Sequence, residues 1–441
     1  MAAGMTFLLA VLGRAALALV NRQSNDDHLE VIHFLRSGKP IYSYLECWEC
    51  FQPKLFHRLC SGVLDLLGIV GTDNEIVVCQ FINVFSGMVM LLFVYKTLLL
   101  FNFSNVTVLL SFALVALNPK LASTNCMVTN DSFVILFGTM TIYFLVRFVL
   151  WGHWVNSLLC SLFVVLACLT KGNGLMFLVA LPLMVVKMIH VKNVRFRNLL
   201  VAAYFVVPLA IFFIGPYSMH YRQAGNALVT NRSACALPPV FEKDECGRPG
   251  VRSIREAYFS FPLIALMQEP YTTTGREDYP PHRTSFWGQL YGQTWSVHFD
   301  RFPFSWVSEN PRILWLTRVE LFLGLLPLSL LLVGLFRLRN RLALPVIANI
   351  AGTSMVTLRC SILLLVLSAF AFDMVYALRF RDYSCMKIIF VFPALSALSV
   401  AFAAGLEKFI KFRAVPVILG LLLLSGALEF AYLVRNLWLM W

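Results

Sequence analysis

The sequence predicts an all-α polytopic membrane protein: one bundle of about 11 transmembrane helices with two extracytoplasmic loop regions. Three observations carry that expectation. Hydrophobic residues make up 59% of the 441 positions and charged residues only 13%, where a soluble domain carries roughly 25% charged residues. Apolar runs of about 17–25 residues recur along the chain, each long enough to cross a bilayer. The runs are continuous and do not alternate, which excludes a transmembrane β-barrel.

The expected spans, in order, are 4–20, 77–101, 105–118, 132–150, 154–170, 174–190, 199–216, 319–336, 345–377, 387–405 and 414–433. The first has a weak basic start and is followed at once by an acidic cluster, so it reads as a retained anchor and not as a cleaved signal peptide. The ninth is too long for one straight helix and is expected to be tilted, broken or preceded by an interfacial piece. Residues 60–70 are too few to span and read as an amphipathic helix lying on the bilayer. There is no internal repeat, so residues 1–441 are taken as a single membrane-embedded domain.

Orientation follows from the basic loops. Lys187, Lys192, Arg195 and Arg197 share one short loop, Arg337, Arg339 and Arg341 another, and Lys408, Lys411 and Arg413 a third. With a cytoplasmic N-terminus, helix counting places all three in the cytoplasm, as the positive-inside rule requires. Residues 21–76 and 217–318 then form the first and the large extracytoplasmic loops. They face the lumen of the endoplasmic reticulum in a eukaryote, or the exterior of the inner or plasma membrane in a bacterium. Much of the net charge of +13 is therefore a topology signal and an attraction to anionic lipid. No basic stripe with interleaved aromatics lies outside the membrane, so no nucleic-acid partner is expected.

The cysteines of the polar loops differ from those inside spans. Cys235 and Cys246, in the large loop, are placed to close a disulfide in an oxidising compartment. Cys47-Trp48-Glu49-Cys50, followed by His57 and Cys60, has spacing compatible with zinc, with a redox pair or with a structural disulfide. It lacks a ribbon or thioredoxin context and lies beside an expected interfacial helix, which favours the disulfide. No cofactor is expected, and a divalent metal is left open. Of the sequons at Asn102, Asn105, Asn130 and Asn231, only Asn231 is positioned as a glycan acceptor.

Five polar groups collect on the extracytoplasmic side. They are Asp26-Asp27; Glu46 and Glu49 with the run Phe51-Gln52-Pro53-Lys54-Leu55-Phe56; Asn130-Asp131; Lys171 in Thr170-Lys171-Gly172-Asn173-Gly174; and Arg379, Arg381, Asp382, Tyr383 and Lys387. Lys171, Arg379, Arg381 and Lys387 run against the positive-inside trend. One such cation at a helix end reads as ordinary snorkelling. Four of them on the same face as three acidic groups offer carboxylates for proton abstraction and cations for an anionic group at the membrane surface.

Sugar transfer from a polyprenyl phosphate uses both at that depth. The donor's phosphate sits at headgroup level and leaves without a general acid, but the charge developing on it needs cations. The acceptor hydroxyl is a weak nucleophile and needs one carboxylate as base. A single in-line displacement inverts the anomeric centre.

The order of these elements resembles the GT-C superfamily of polytopic glycosyltransferases, most closely the family that contains protein O-mannosyltransferases and bacterial lipid A aminoarabinose transferases. Asp26-Asp27 matches the acidic pair opening the first external loop. Gln52-Pro53-Lys54-Leu55-Phe56 is similar to a His-Pro-Pro-Leu-Tyr element but lacks the His and the second Pro. Pro119 with Asn130-Asp131, Lys171-Gly172-Asn173-Gly174, and Arg379 to Lys387 followed by Phe392-Pro393-Ala394-Leu395 match three later elements. The resemblance covers residues 5–405. It implies an acceptor-activating Asp26 with Asp27 beside it, and donor-phosphate contacts from Lys171, Arg379, Arg381 and Lys387. Glu49, Gln52, Asp131 and Tyr383 are the further substrate contacts. The expected partners are a polyprenyl-phosphate-linked sugar, dolichyl or undecaprenyl, and an acceptor hydroxyl on protein, lipid or glycan.

The segment Ser285 to Trp295, aromatic and polar together and containing Trp287, reads either as a sugar-stacking surface or as an aromatic belt at the bilayer. A secondary transporter or lipid flippase is the alternative function, and Asp373, alone inside the ninth span, is the residue that supports it. A non-catalytic subunit of a larger assembly is a third reading.

Overall fold

The computed structural model describes residues 1–188, 204, 206–229, 254–268, 270, 285–297, 311–339, 352–380 and 386–440. The regular elements among these residues are helices. It begins with α1 (Ala2–Val20), α2 (His28–Arg36), α3 (Leu55–Leu66), α4 (Thr72–Leu98), α5 (Asn105–Ala116), α6 (Pro119–Thr124), α7 (Asp131–Trp151) and α8 (Trp154–Thr170). A 3₁₀ turn over Gly172–Val179 leads into α9 (Ala180–Met188). The second half holds α10 (Tyr217–Ala224), α11 (Ile254–Phe259), α12 (Leu263–Gln268), α13 (Phe286–Trp295), α14 (Pro311–Leu323), α15 (Leu325–Arg339), α16 (Gly352–Phe380), α17 (Leu395–Phe409) and α18 (Ala414–Leu439).

Seven of the described helical segments are long and apolar enough to cross a membrane, and 105–116, 154–170 and 172–188 are shorter apolar helices. These ten correspond to ten expected spans. The expected span 199–216 falls partly outside the described residues, although 206–214 is helical.

Three elements bear on the expected boundaries. Over its described residues the long ninth span is one continuous helix of 29 residues, α16, and the expected residues 345–351 lie outside the described residues. The eighth is α14 and α15 run together with a break at Gly324, where a side chain would strike the Trp295 indole. The interfacial helix starts at Leu55, directly after Pro53-Lys54, so part of the motif run is helical. Its buried face (Phe56, Cys60, Leu64) and its exposed Leu59 and Leu66 give the expected amphipathic character.

The core is built around α7, which is buried along most of its length between α4 and α8. No side-chain hydrophobic gradient orders helices in lipid, so close packing has to hold them. The α15–α17 crossing illustrates this. A Cβ on Gly334 would lie 1.7 Å from the Ala401 carbonyl oxygen, and one on Gly405 would lie 1.9 Å from that of Leu330. Two facing glycines let the backbones touch.

Buried polar groups complete the frame. Arg14, 1% exposed inside α1, donates to Asn125 Oδ1 at 3.0 Å and to the Ala116 carbonyl at 2.8 Å. Ala116 ends α5, so this guanidinium sits at a helix C-terminus, where a cation is favoured. At the far side, Glu429 of α18 accepts from the Ser296 hydroxyl and, at 3.0 Å, from the Val297 N–H, pinning the end of α13.

Candidate active site

One polar stripe on α4 assembles the site. Gln80, Asn83 and Ser86 recur at helical spacing and are buried. Gln80 Nε2 donates to the Gln23 carbonyl at 2.8 Å. Asn83 Nδ2 donates to the carbonyls of Met127 at 2.7 Å and Thr129 at 2.8 Å, and Ser86 to that of Ser132 at 3.1 Å. The α1–α2 loop and the α6–α7 loop are thus fastened to the same helix. They are also joined to each other, Val128 N–H donating to the Ser24 carbonyl at 3.0 Å.

Asn25 takes φ +65°, a left-handed conformation that aims the next residue, Asp26. Asparagine tolerates that conformation where most residues do not. Asn25→Ala is expected to cost about 1–2 kcal/mol of stability, and Asn25→Gly less; thermal unfolding of the two variants in one detergent checks the order.

The charged centre lies where α2, α7 and α8 meet the first loop. Lys171, extended at the end of α8, donates to Asp131 Oδ1 at 2.7 Å, and Thr129 Oγ1 donates to Asp131 Oδ2 at 2.9 Å. Asn130 Nδ2 ties the same two helices by donating to the Thr170 carbonyl at 3.1 Å. The Lys171 ammonium also rests 5.2 Å from the Phe390 ring centre. Asp26 Oδ2 stands 3.6 Å from His28 Nε2, and His28 Nδ1 faces His57 Nε2 at 2.9 Å. Donor atoms of Asp26, His28 and Glu49 all lie within 4.8 Å of one another.

Burial sets the protonation pattern. It raises the Asp26 carboxyl above the ordinary aspartate value, opposed mainly by the positive charges of Lys387 and Lys171. Burial, with the Asp26 charge next, pushes Glu49 up to about 8. The same desolvation lowers His28 to about 3, so its ring is neutral at any physiological pH, and takes His57 well below its usual value. Lys54 is lowered to about 7 by burial; its ammonium donates to the Cys50 carbonyl at 2.7 Å.

Of the residues expected in the site, Asp26, Glu49, Asp131, Lys171 and Lys387 interact as one charge cluster. Gln52 joins it by a side-chain hydrogen bond to Glu49. Asp27 is exposed, its N–H donating to Asp26 Oδ1 at 3.0 Å. Trp287 belongs to the packing of α13: its indole N–H donates to the Tyr258 carbonyl at 2.9 Å, and its ring lies against Phe286 and Phe370. The Cys47–Cys50 disulfide is formed, as the loop context favoured. Arg381, Tyr383, Cys235 and Cys246 lie outside the described residues, as does the side chain of Arg379.

Residues without an assigned role in the sequence also belong to the site. His28 and His57 form a buried pair across 29 residues. Gln293 of α13 brackets Lys387, its Nε2 donating to the Met386 carbonyl at 3.2 Å and its Oε1 accepting from the Ile388 N–H at 3.1 Å. Both ends of one amide therefore fix the backbone that presents Lys387.

Residues 69–220 match the family model of the dolichyl-phosphate-mannose-protein mannosyltransferases. The chain resembles this family. The matched stretch contains Asp131 and Lys171 but not Asp26 or Glu49. Among solved structures, the apo oligosaccharyltransferase of Archaeoglobus fulgidus aligns at 13% identity and a TM-score of 0.52, over 99% of this chain and 56% of its own length. That likeness is one of fold, and the present chain spans little more than half of that enzyme. An oligosaccharyltransferase of the same organism, in complex with an inhibitory peptide and a dolichol-phosphate, aligns at 11% identity and a TM-score of 0.49, over 98% and 55%. No curated protein matches the chain by sequence.

Proposed function

We propose that the chain is a glycosyltransferase that moves a sugar from a polyprenyl-phosphate donor to an acceptor hydroxyl on the extracytoplasmic side, with inversion and with Asp26 as general base. The observation that carries this reading is the meeting of the Asp26 carboxylate with the Lys171 and Lys387 charges at one end of the membrane bundle. The family match over residues 69–220 supports the donor class.

In this mechanism the lipid tail lies among the helices and the phosphate lies beside Lys387, whose charge offsets the negative charge growing on the leaving oxygen. Lys171, held by Asp131, keeps the same region positive. Asp26 takes the acceptor's proton as the new glycosidic bond forms, and its raised pKa makes it a stronger base than a solvated aspartate. Asp131 remains the partner of Lys171 and is not the base. Release of polyprenyl phosphate from synthetic donors by the purified protein in detergent tests the reading directly; no release with any polyprenyl-phosphate sugar and a full set of acceptors would sink it.

The pH dependence has a defined sign. The base must be ionised, and its pKa is shifted upward, so activity is expected to rise with pH along a limb displaced above the normal aspartate range. Glu49 then ionises near pH 8, and Glu49→Gln should remove any inflection there while leaving the lower limb in place. A limb at the value of free aspartate would show that Asp26 is solvated in the working enzyme.

Transport is favoured by one specific observation. Asp373, within α16, is fully buried and both its carboxyl oxygens lack hydrogen-bond partners among the described residues. An ionisable group there marks an ion pathway in many carriers. Under the transferase reading, Asp373→Asn leaves lipid-phosphate release within about twofold of wild type, the ordinary effect of a substitution outside the reacting groups. Loss of substrate flux with retained transferase chemistry would assign α16 to a pathway.

A further inference from the structure

We propose, resting on the sugar-transfer reading, that Gln293 is a positioning residue for the donor phosphate: its carboxamide sets the direction in which Lys387 reaches the site. Lys387 is extended, with φ −117° and ψ 126°. Those two torsions separate the peptide planes on either side of its Cα. Gln293 bonds one group of each plane. Its Nε2 donates to the Met386 carbonyl at 3.2 Å, and its Oε1 accepts from the Ile388 N–H at 3.1 Å. One planar amide therefore holds both planes, and with them the Cα–Cβ bond of Lys387.

The residue type is dictated by these partners. A reversed amide would set oxygen against the Met386 carbonyl and NH₂ against the Ile388 N–H, so the hydrogen bonds allow a single orientation. The second hydrogen on Nε2 goes to Gln289 Oε1 at 3.2 Å, one turn back on the same helix face. Gln293 is 2% exposed, and Gln289 and Met386 are as deeply buried. Water does not compete for bonds so placed, which strengthens them.

A clasp positions a neighbour only if its own support is fixed, and α13 is tied at both ends. Ser285 caps its start, accepting from the Gly288 N–H at 3.1 Å and donating to the Ser260 carbonyl at 2.7 Å. Asn118 Nδ2 donates to the carbonyl of Thr294, the residue after Gln293, at 2.8 Å, and Glu429 holds the residues beyond. The clasped segment carries a second part of the charge cluster. The Phe390 N–H donates to the Lys387 carbonyl at 3.0 Å, and the Phe390 ring lies 5.2 Å from the Lys171 ammonium. Lys387 is also the cation that acts most strongly on Asp26. A lysine stem is long and flexible, so a fixed Cα is what confines the ammonium to the phosphate. A residue that does not touch the donor thus sets how well the donor is held.

The probes are a short-chain polyprenyl phosphate without sugar and the matching polyprenol, titrated into the full-length protein in one detergent. Gln293→Met keeps the volume and removes every bond. Gln293→Glu keeps the acceptor for the Ile388 N–H and loses the donor, and it serves if the Met variant does not fold. Either is expected to weaken binding of the phosphate by about tenfold, the lower end of what a hydrogen bond to a charged group is worth, and to leave polyprenol binding unchanged. In a Lys387→Met background the same substitution should cost less than about twofold, since the two residues act as one unit. Equal losses for phosphate and polyprenol would overturn the positioning role. So would a full loss that persists without Lys387, which is also how direct repulsion by the new carboxylate would show. Wild-type phosphate affinity in the Gln293 variants, with Lys387→Met weakened, overturns the positioning role alone. Wild-type phosphate affinity in Lys387→Met removes that cation from the donor site, and the role of Gln293 falls with it.

Discussion

Asp26→Asn is expected to lower turnover by about 10²–10⁴, the usual contribution of a positioned general base, with the fold intact. The asparagine keeps the shape of the side chain and can still accept the Asp27 N–H, which bonds Asp26 Oδ1 at 3.0 Å. What it removes is the proton acceptor. Asp27→Asn should cost far less, because that side chain is exposed while Asp26 is 28% exposed at the His28 contact. Steady-state release of polyprenyl phosphate compares the two. If Asp27→Asn is the dead variant and Asp26→Asn the active one, the base is the outer carboxylate and the buried cluster has another role.

The second large effect is expected at Lys171, and the structure changes its nature. As a free cation at a helix end, Lys171 would lose only donor affinity on substitution. Paired with Asp131 at 2.7 Å and buried, its removal strands a carboxylate. Lys171→Met alone is therefore expected to destabilise the protein by about 3–5 kcal/mol, the scale for breaking a buried pair. Lys171→Met with Asp131→Asn should recover most of that stability, since neither half is then left charged. Donor binding should remain weaker by about 1.5–3 kcal/mol in the double variant, the worth of a hydrogen bond to a charged group. Thermal unfolding and titration with a short-chain donor analogue separate the two effects. Wild-type donor affinity in the stable double variant would make the pair purely structural and leave Lys387 as the cation for the phosphate.

The legible part of the molecule is the part written in local pattern. Span positions follow from runs of apolar residues, and Asp26, Asp131 and Lys171 were placed together because each interrupts such a run at the same end. Contacts across loops have no local signature. Nothing near His28 in sequence announces His57, because their pairing depends on α3 starting at Leu55 and folding back onto α2. The Asp131–Lys171 pair depends on where α7 and α8 cross, so Lys171 read as an unpaired cation. Gln293 reaches the Lys387 backbone across 95 residues, and only the tertiary fold brings α13 there. Trp287 reads by residue type, since a tryptophan serves sugar stacking and belt packing equally; in the fold its indole N–H bonds to the Tyr258 carbonyl, a contact with no local signature.

The Cys47–Cys50 bond encloses Glu49, and this has a bearing on which compartment the site can work in. A bond of this kind persists on the oxidising side of a membrane and is opened by glutathione on the other. A chain inserted in reverse would present two thiols there, a looser loop and a displaced Glu49. Membrane-impermeant reductant and thiol reagent applied to sealed vesicles would therefore read the orientation of the chain from the covalent state of the loop that carries Glu49.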